Sequence, residues 1–210
     1  GVAWTPLDVE TFLSAGGATL SRDENGVIVS SGTLPEKDTY TITATVSLPL
    51  VTAIRLDVFS RDTLPAQGPG RNDNGNFHLS EIRVRMFEPG AAEPRDVKIA
   101  RATSDFNQAD WSIERALDGN AVTAWGIHPA EGESHYAVFE FAEPLEIKAG
   151  ARLAILLEQL HGGGHVIGAF RLSVASGPRE QTVALPKSVE DLLSLKDTER
   201  TQEQQASVAA

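Results

Sequence analysis

The sequence predicts an all-β fold, and three observations carry that prediction. Segments of alternating polar and apolar residues recur along the chain, β-branched residues concentrate in them, and Gly, Pro, Asn and Asp cluster between them. There are about nine such segments, spaced by turn signals, which is the pattern of one sandwich and not of alternating β and α units. Hydrophobic residues make up 41% of the 210-residue chain, enough to fill a core.

In chain order, Trp4 to Leu20 is apolar with Gly16-Gly17 near its end, and Asn25-Gly26 ahead of Val27-Ile28-Val29 reads as a hairpin turn. Thr39 to Val46 alternates with one wet face, and Ile54, Leu56 and Val58 keep the same step within Thr52 to Ser60. These two segments are predicted to be neighbouring strands. Asp62 to Asn76 is the longest unpatterned stretch, too rich in Gly, Pro and Asn to pair in a sheet. Its polar groups, Arg71, Asn72 and Asn74 among them, either hydrogen-bond sugar hydroxyls or satisfy the loop's own backbone. Phe77 to Phe87 resumes a strand, and the apolar phase changes around Ser80, which predicts a bulge that re-aims Glu81.

Glu88-Pro89-Gly90 and Glu93-Pro94 end that strand, and Val97 to Thr103 supplies the next. Gly126 to His135 is a loop holding His128 and His135, followed by a strand over Tyr136 to Phe141. Ala151 to Leu160 has a helical composition, but Gly150 before it and Gly162-Gly163-Gly164 after it bound a run better read as a buried strand. Phe170, Leu172 and Val174 alternate in the last strand. From Pro178 the character changes: Ser188-Val189-Glu190-Asp191 opens an amphipathic helix with a capping-box pattern, and Thr201 to Gln204 reads as a second cap. The chain therefore divides into a sandwich module over 1–177 and, over 178–210, a linker and helical tail leading to a following domain.

Composition narrows the function. There is no Cys, so disulfides, thiolate metal sites and Cys nucleophiles are excluded, while the redox compartment stays open. A net charge of −11 with 18 scattered basic residues argues against a nucleic-acid partner. No run approaches the roughly 20 apolar residues that span a bilayer, so no membrane insertion is expected. The abrupt strand-like opening Gly1-Val2-Ala3-Trp4, with no signal peptide ahead of it, reads as an excised piece of a longer protein.

The most informative stretch is Arg115 to Trp125. Asp118, Asn120 and Thr123 supply three hard oxygen donors, and Gly119 lets the backbone turn tightly enough to aim them at one point. That donor set suits Ca²⁺; Zn²⁺ prefers the His or Cys that this stretch lacks. The alternative is a surface turn in which Asp and Asn bond their own backbone.

Ala116-Leu117-Asp118-Gly119-Asn120, then Thr123 and Trp125, preceded by Ala102-Thr103-Ser104-Asp105-Phe106 and followed by Tyr136 to Phe141, resembles the discoidin or coagulation-factor type C domains and related galactose-binding-like carbohydrate-binding modules. The resemblance implies a jelly-roll β-sandwich with a structural Ca²⁺. It makes Asp118 and Asn120 side-chain ligands, Thr123 a ligand through hydroxyl and carbonyl, and Arg115 a ligand through its carbonyl. The Ser-Glu pair that closes the family's metal shell late in the chain has its match upstream here, in Leu79-Ser80-Glu81-Ile82-Arg83-Val84. A permuted module follows, with Glu81 a carboxylate ligand and Ser80 offering its carbonyl; otherwise Glu81 is a solvent-facing strand residue. Gly68-Pro69-Gly70-Arg71, Asn74-Gly75-Asn76-Phe77, Leu79-Ser80-Glu81 and Phe170-Arg171-Leu172-Ser173 also resemble a module inside large planctomycete-type exported proteins that carry cytochrome-c-like domains. That likeness implies an extracytoplasmic location and no assigned activity.

Of the 5 His, His161 and His165 stand four apart on a Gly-rich turn and not a helix, so the spacing does not put both rings on one face. With His128 and His135 they are candidates to line one end of the sandwich and hydrogen-bond a sugar. Trp111 is either a stacking platform for a pyranose or half-buried core, and Trp125 is assigned to the core. No Gly-x-Ser-x-Gly elbow, phosphate-cradling loop or His-Glu-x-x-His occurs, so no catalytic residue is expected. The sequence reads as a non-catalytic carbohydrate-binding module with Ca²⁺ as its cofactor and a polysaccharide or glycan as partner. The alternative is a structural or docking domain that spaces neighbouring domains of the same chain, and the sandwich alone cannot choose between them.

Overall fold

A computed structural model describes residues 2–195 together with Thr201 and Gln204. Its strands are β1 Thr5–Pro6, β2 Asp8–Ser14, β3 Thr19–Arg22, β4 Ile28–Ser31, β5 Asp38–Thr45, β6 Leu50–Val58, β7 Glu81–Phe87, β8 Arg95–Val97, β9 Ile99–Ser104, β10 His135–Glu146, β11 Arg152–Gln159 and β12 Ala169–Ala175, followed by one helix, α1 Lys187–Ser194. The strands form two antiparallel sheets. The larger runs β3-β4-β12-β6-β10-β9, with β1 added alongside β12, and the smaller runs β2-β5-β11-β7-β8. Inward-facing residues of both meet in one core, with Leu56, Phe139 and Phe170 from the larger and Tyr40, Ile42 and Leu157 from the smaller, all fully buried. Each such side chain contributes about 1.5–3 kcal/mol relative to exposure. The chain is therefore an all-β sandwich with a short helical tail.

Most strands fall where alternation places them. The Asn25-Gly26 hairpin joins β3 to β4, with Gly26 at φ +76° and the Asp23 N–H donating to the Val27 carbonyl at 2.9 Å. The run after Gly150 is a strand, β11, hydrogen-bonded to β5 on one side and β7 on the other. One expectation fails. The segments over Thr39–Val46 and Thr52–Ser60 are not neighbours, because β5 lies in the smaller sheet and β6 in the larger. Alternation fixes which way side chains point and carries no information about which sheet a strand joins. At Ser80 the strand is irregular, where the phase change predicts it: the register of β7 against β11 runs unbroken from Phe87 to Glu81, the Ser80 N–H donates at 2.8 Å to the carbonyl of Glu158, which already stands opposite Glu81, and Leu79 pairs with Trp125.

The segment from Pro178 does not leave the module as a free linker. It lies on the outer face of the larger sheet, where Ala184 joins Ala53, Tyr136, Val138 and Trp4 in a second small apolar cluster. The Arg179 guanidinium donates to the Phe141 carbonyl at 3.1 Å, the Ala184 N–H to Thr103 Oγ1 at 2.8 Å, and the Leu185 N–H to the Tyr136 hydroxyl at 3.0 Å. Helix α1 forms, but Ser188 does not cap it. The helix starts after Pro186, whose carbonyl accepts from the Val189 and Glu190 N–H groups, and no side chain caps it. Thr201 and Gln204 exchange the two reciprocal bonds of a capping box, at 2.8 and 3.2 Å, while Gln202 and Glu203 lie outside the described residues. Among the described residues, no helix is long and apolar enough to cross a membrane.

Candidate functional site

Topology brings the two halves of the predicted metal turn together. A short 3₁₀ turn, Ile113–Leu117, ends at Asp118, and Gly119 follows at φ +73°, a left-handed conformation that suits glycine. Asp118 Oδ1 accepts from the Asn120 N–H at 2.9 Å, Asp118 Oδ2 accepts the Thr123 hydroxyl at 2.6 Å, and Asn120 Oδ1 accepts from the Val122 N–H at 3.2 Å. Leu79 and Trp125 exchange backbone bonds at 3.0 and 2.9 Å, which lays residues 79–81 beside the turn. The Gly119 N–H then donates to Glu81 Oε1. Ser80 Oγ donates to the Ala121 carbonyl at 3.2 Å and accepts from Leu160 N–H at 3.1 Å. Glu81 is not solvent-facing: it is 6% exposed. Burial pushes its carboxyl pKa up against the opposing bond from Gly119, and nearby Asp118 adds to the rise.

The donors at this turn are all hard oxygens, so a cation held here would be Ca²⁺-like. Glu81 is a buried carboxylate that shares the turn with a second carboxylate, and a divalent ion relieves such a pairing. Among the described residues no group of three or more His, Cys, Asp or Glu is placed to hold a metal. The rest of the shell would come from Asn120, Thr123 and the carbonyls of Ser80 and Arg115, and a set with so few charges binds weakly.

Next to this turn the structure assembles a ring cluster. His78 lies between Trp111 and His165, stacked on both at centroid distances of 4.2 and 4.3 Å with interplanar angles of 5° and 12°. His161 stands edge-on to His78 at 4.6 Å and to Trp111 at 4.8 Å. His78 is 5% exposed, and neither of its ring nitrogens has a hydrogen-bond partner. Burial, reinforced by His165 and then His161, pulls its pKa down to about 3. Parallel rings cannot aim their in-plane lone pairs at one point, so His78 and His165 do not make a shared metal site. The Nδ1 of His165 lies 3.0 Å from the Gly162 carbonyl, an acceptor only, so the hydrogen is assigned to Nδ1 and Nε2 carries the lone pair.

Backbone pairing holds the indole in place. Trp111 N–H donates to the Gln108 carbonyl, Gln108 N–H to the Gly126 carbonyl, and Gly126 N–H to the Trp111 carbonyl, at 2.9 to 3.1 Å. Asn76 Nδ2 donates to Gln108 Oε1 at 2.9 Å, and Asn76 Oδ1 accepts from Ile127 N–H at 3.0 Å. A Cβ at Gly126 would come within 2.5 Å of Gln108 Oε1 and 3.1 Å of His78 Cδ2, so this close approach requires glycine. Trp111 remains half-buried, and His161 is exposed.

The other predicted binders divide. The His128 backbone joins the cluster by donating to Gln108 Oε1 at 3.2 Å, while its exposed ring bonds Glu131 at 2.6 Å. His135 does not face a ligand. It is 4% exposed, with Nδ1 3.0 Å from Asp105 Oδ2 and Nε2 2.8 Å from the Ala130 carbonyl. Arg71 donates to the Thr33 and Gly32 carbonyls at 2.8 and 2.7 Å, Asn72 Nδ2 to the Gly163 carbonyl at 2.7 Å, and Asn74 Oδ1 accepts from Asn76 N–H at 2.9 Å. These three side chains serve the loops' own backbone. His78 escaped the sequence reading, although alternation carried a signal: Phe77 and Leu79 point into the core, so His78 must point away from it.

Fold and site together define a two-sheet sandwich with an aromatic and imidazole cluster at one loop end, beside an oxygen-lined turn. Compared with known proteins, the chain matches no family model, no curated protein and no solved structure.

Proposed function

We propose that the chain is a non-catalytic carbohydrate-binding module of a larger extracytoplasmic protein, and that it takes a glycan at the loop end built on Trp111. The observation that carries this reading is the stack itself. His78 backs one face of a half-exposed indole, and His161 brings its imidazole nitrogens edge-on to that indole at 4.8 Å, while His165 lies behind His78 on the side away from it. A pyranose offers an apolar face to such a ring and hydroxyls to such nitrogens. Ca²⁺, held by Asp118, Glu81, Asn120 and Thr123 with the carbonyls of Ser80 and Arg115, would neutralise the paired carboxylates. It would thereby pin the turn that leads into Trp125 and the Gln108–Trp111 pairing.

Extracellular Ca²⁺ modules bind with Kd of about 10⁻⁴–10⁻³ M, and ligand at 100 times Kd adds roughly 2.7 kcal/mol to folding. The thermal midpoint should therefore rise in millimolar Ca²⁺ and fall in chelator, and Asp118→Ala should abolish the difference. An equal midpoint in both removes the metal and leaves the sugar site standing. The sugar site is tested on a glycan array. At a positive spot, Trp111→Ala should weaken binding by about 2 kcal/mol, roughly thirtyfold. Silence across neutral, sulfated and uronic polysaccharides would leave the sandwich as a spacing domain for its neighbours in the chain.

A further inference from the structure

On the outer face of the larger sheet, the register sets Arg171 of β12 opposite Asp57 of β6, and Asp57 opposite Tyr136 of β10. Together with Phe59 they form one wall of a cleft of about 360 Å³, and Lys187, Glu190 and Asp191 of α1 form another. That volume lies within the roughly 300–1,000 Å³ of small-molecule sites. The cations around the cleft are satisfied except for one. Arg55 holds Asp57 at 2.7 Å, His135 holds Asp105 at 3.0 Å, and Lys187 pairs with Glu133. The Arg171 guanidinium lies 5.4 Å over the Phe59 ring with no hydrogen-bond or ion-pair partner among the described residues, and its Nε is shut off from solvent. Glu190 and Asp191 line the same cleft without pairing with it. Closed to water, Nε is closed to a ligand as well, and the donors that an acceptor in the cleft can reach are the two terminal nitrogens, which have no partner among the described residues.

We propose that this cleft binds a polyhydroxylated carboxylic acid of monosaccharide size, a sugar acid. The guanidinium fork matches a planar carboxylate through two parallel bonds. The carboxylates of Asp57, Glu190 and Asp191 only accept, so they select hydroxyl donors on the same molecule and repel a second negative charge. A monoanion carrying several hydroxyls meets both conditions, whereas phosphate, which the fork also fits, brings a second negative charge near neutral pH. This site is separate from the Trp111 end and stands or falls independently of it.

The test titrates the full chain with galacturonate, galactose and inorganic phosphate, reading the Arg171 Nε–Hε resonance and the heat of binding. Galacturonate should shift that resonance saturably, with galactose and phosphate leaving it in place. Arg171→Gln should weaken galacturonate binding by about tenfold or more, and Trp111→Ala should leave it intact. No saturable shift, equal binding of phosphate, or unchanged affinity in Arg171→Gln would each overturn the proposal. The resonance is read on the unaltered chain, so the outcome does not hang on whether a variant folds.

Discussion

His135 and His78 are both about 95% buried, at 4% and 5% exposure, yet their surroundings are opposite. His135 points both ring nitrogens at acceptors, Asp105 Oδ2 and the Ala130 carbonyl, a demand that only the protonated ring meets in full. Burial works to lower its pKa, but the bonds to Asp105 and Ala130 outweigh it and the pKa is raised. His78 has aromatic rings on both faces, a third imidazole at its edge and no partner for either nitrogen, and its pKa falls to about 3. Burial lowers the pKa of both imidazoles, and hydrogen-bond acceptors at the ring nitrogens, present for His135 and absent for His78, decide whether that lowering prevails. The satisfied histidine closes a structural corner under the docked tail, while the unsatisfied one backs the surface that presents Trp111.

The largest effect expected from this contrast is at the satisfied site. His135→Phe strands Asp105 in the interior with only the Tyr136 N–H to hold it, and breaking a buried charged pair costs about 3–5 kcal/mol. A denaturant midpoint in the unaltered range would show that the pair does not hold this corner. The sign with pH follows from the raised pKa. The stabilisation is complete below the unfolded value of about 6.5 and is lost as pH climbs through the folded one. Imidazole resonances titrating below that value for His135 would contradict it.

Gly126→Ala comes next and probes the other end. Its Cβ would push Gln108 off Asn76 and press on His78, and overpacking of this kind costs about 1–3 kcal/mol. Tryptophan emission should shift red as Trp111 loosens, together with a lower melting midpoint. Tyr136→Phe is smaller still. It deletes the 2.5 Å bond to Glu190 and the acceptor for the Leu185 N–H, which is worth about 1.5 kcal/mol. Hydrogen exchange at the Ala184 and Leu185 amides should speed up while the amides of β11 keep their protection. Equal loss of protection in β11 would mean that the tail is not a separately opening layer.

Alternation makes strands readable because it reports side-chain direction one residue at a time, and β5, β6 and β12 lie where it puts them, while β4 and β11 lie where the turn signals beside them do. It fails where the question is which strands pair, so β5 and β6 were placed side by side and belong to different sheets. The approach of Glu81 to the Asp118 turn is legible from the motif phrases Leu79-Ser80-Glu81 and Leu117-Asp118-Gly119-Asn120. The ring cluster was half legible. Trp111, His161 and His165 stand out as residue types, but their meeting depends on Gly70 bridging Ile167 and Leu79 bridging Trp125, contacts between distant segments with no local trace. His135 reads as a loop-end histidine for the same reason, since nothing near it in sequence announces Asp105 as its partner.

The smallest effect at neutral pH belongs to His78, and it is the sharpest test of the contrast. Replacing an unpartnered polar ring by an apolar one of similar shape is nearly neutral, so His78→Phe should change stability at pH 7 by less than about 1 kcal/mol. Acid separates the two proteins. With a folded pKa of about 3 and an unfolded value of about 6.5, the unfolded chain binds a proton that the folded chain refuses. His78 therefore costs stability as pH falls from about 6.5 toward 3, with a slope of at most about 1.4 kcal/mol per pH unit. Carboxylates held below their usual range, such as Asp23 beside Arg61, add their own acid loss and are common to both proteins. The difference between the two curves thus isolates the imidazole. In His78→Phe the decline should begin only in the carboxylate range. Parallel curves down to pH 4 would mean that His78 finds a proton acceptor when charged, and the distinction between the two histidines would then rest on geometry alone.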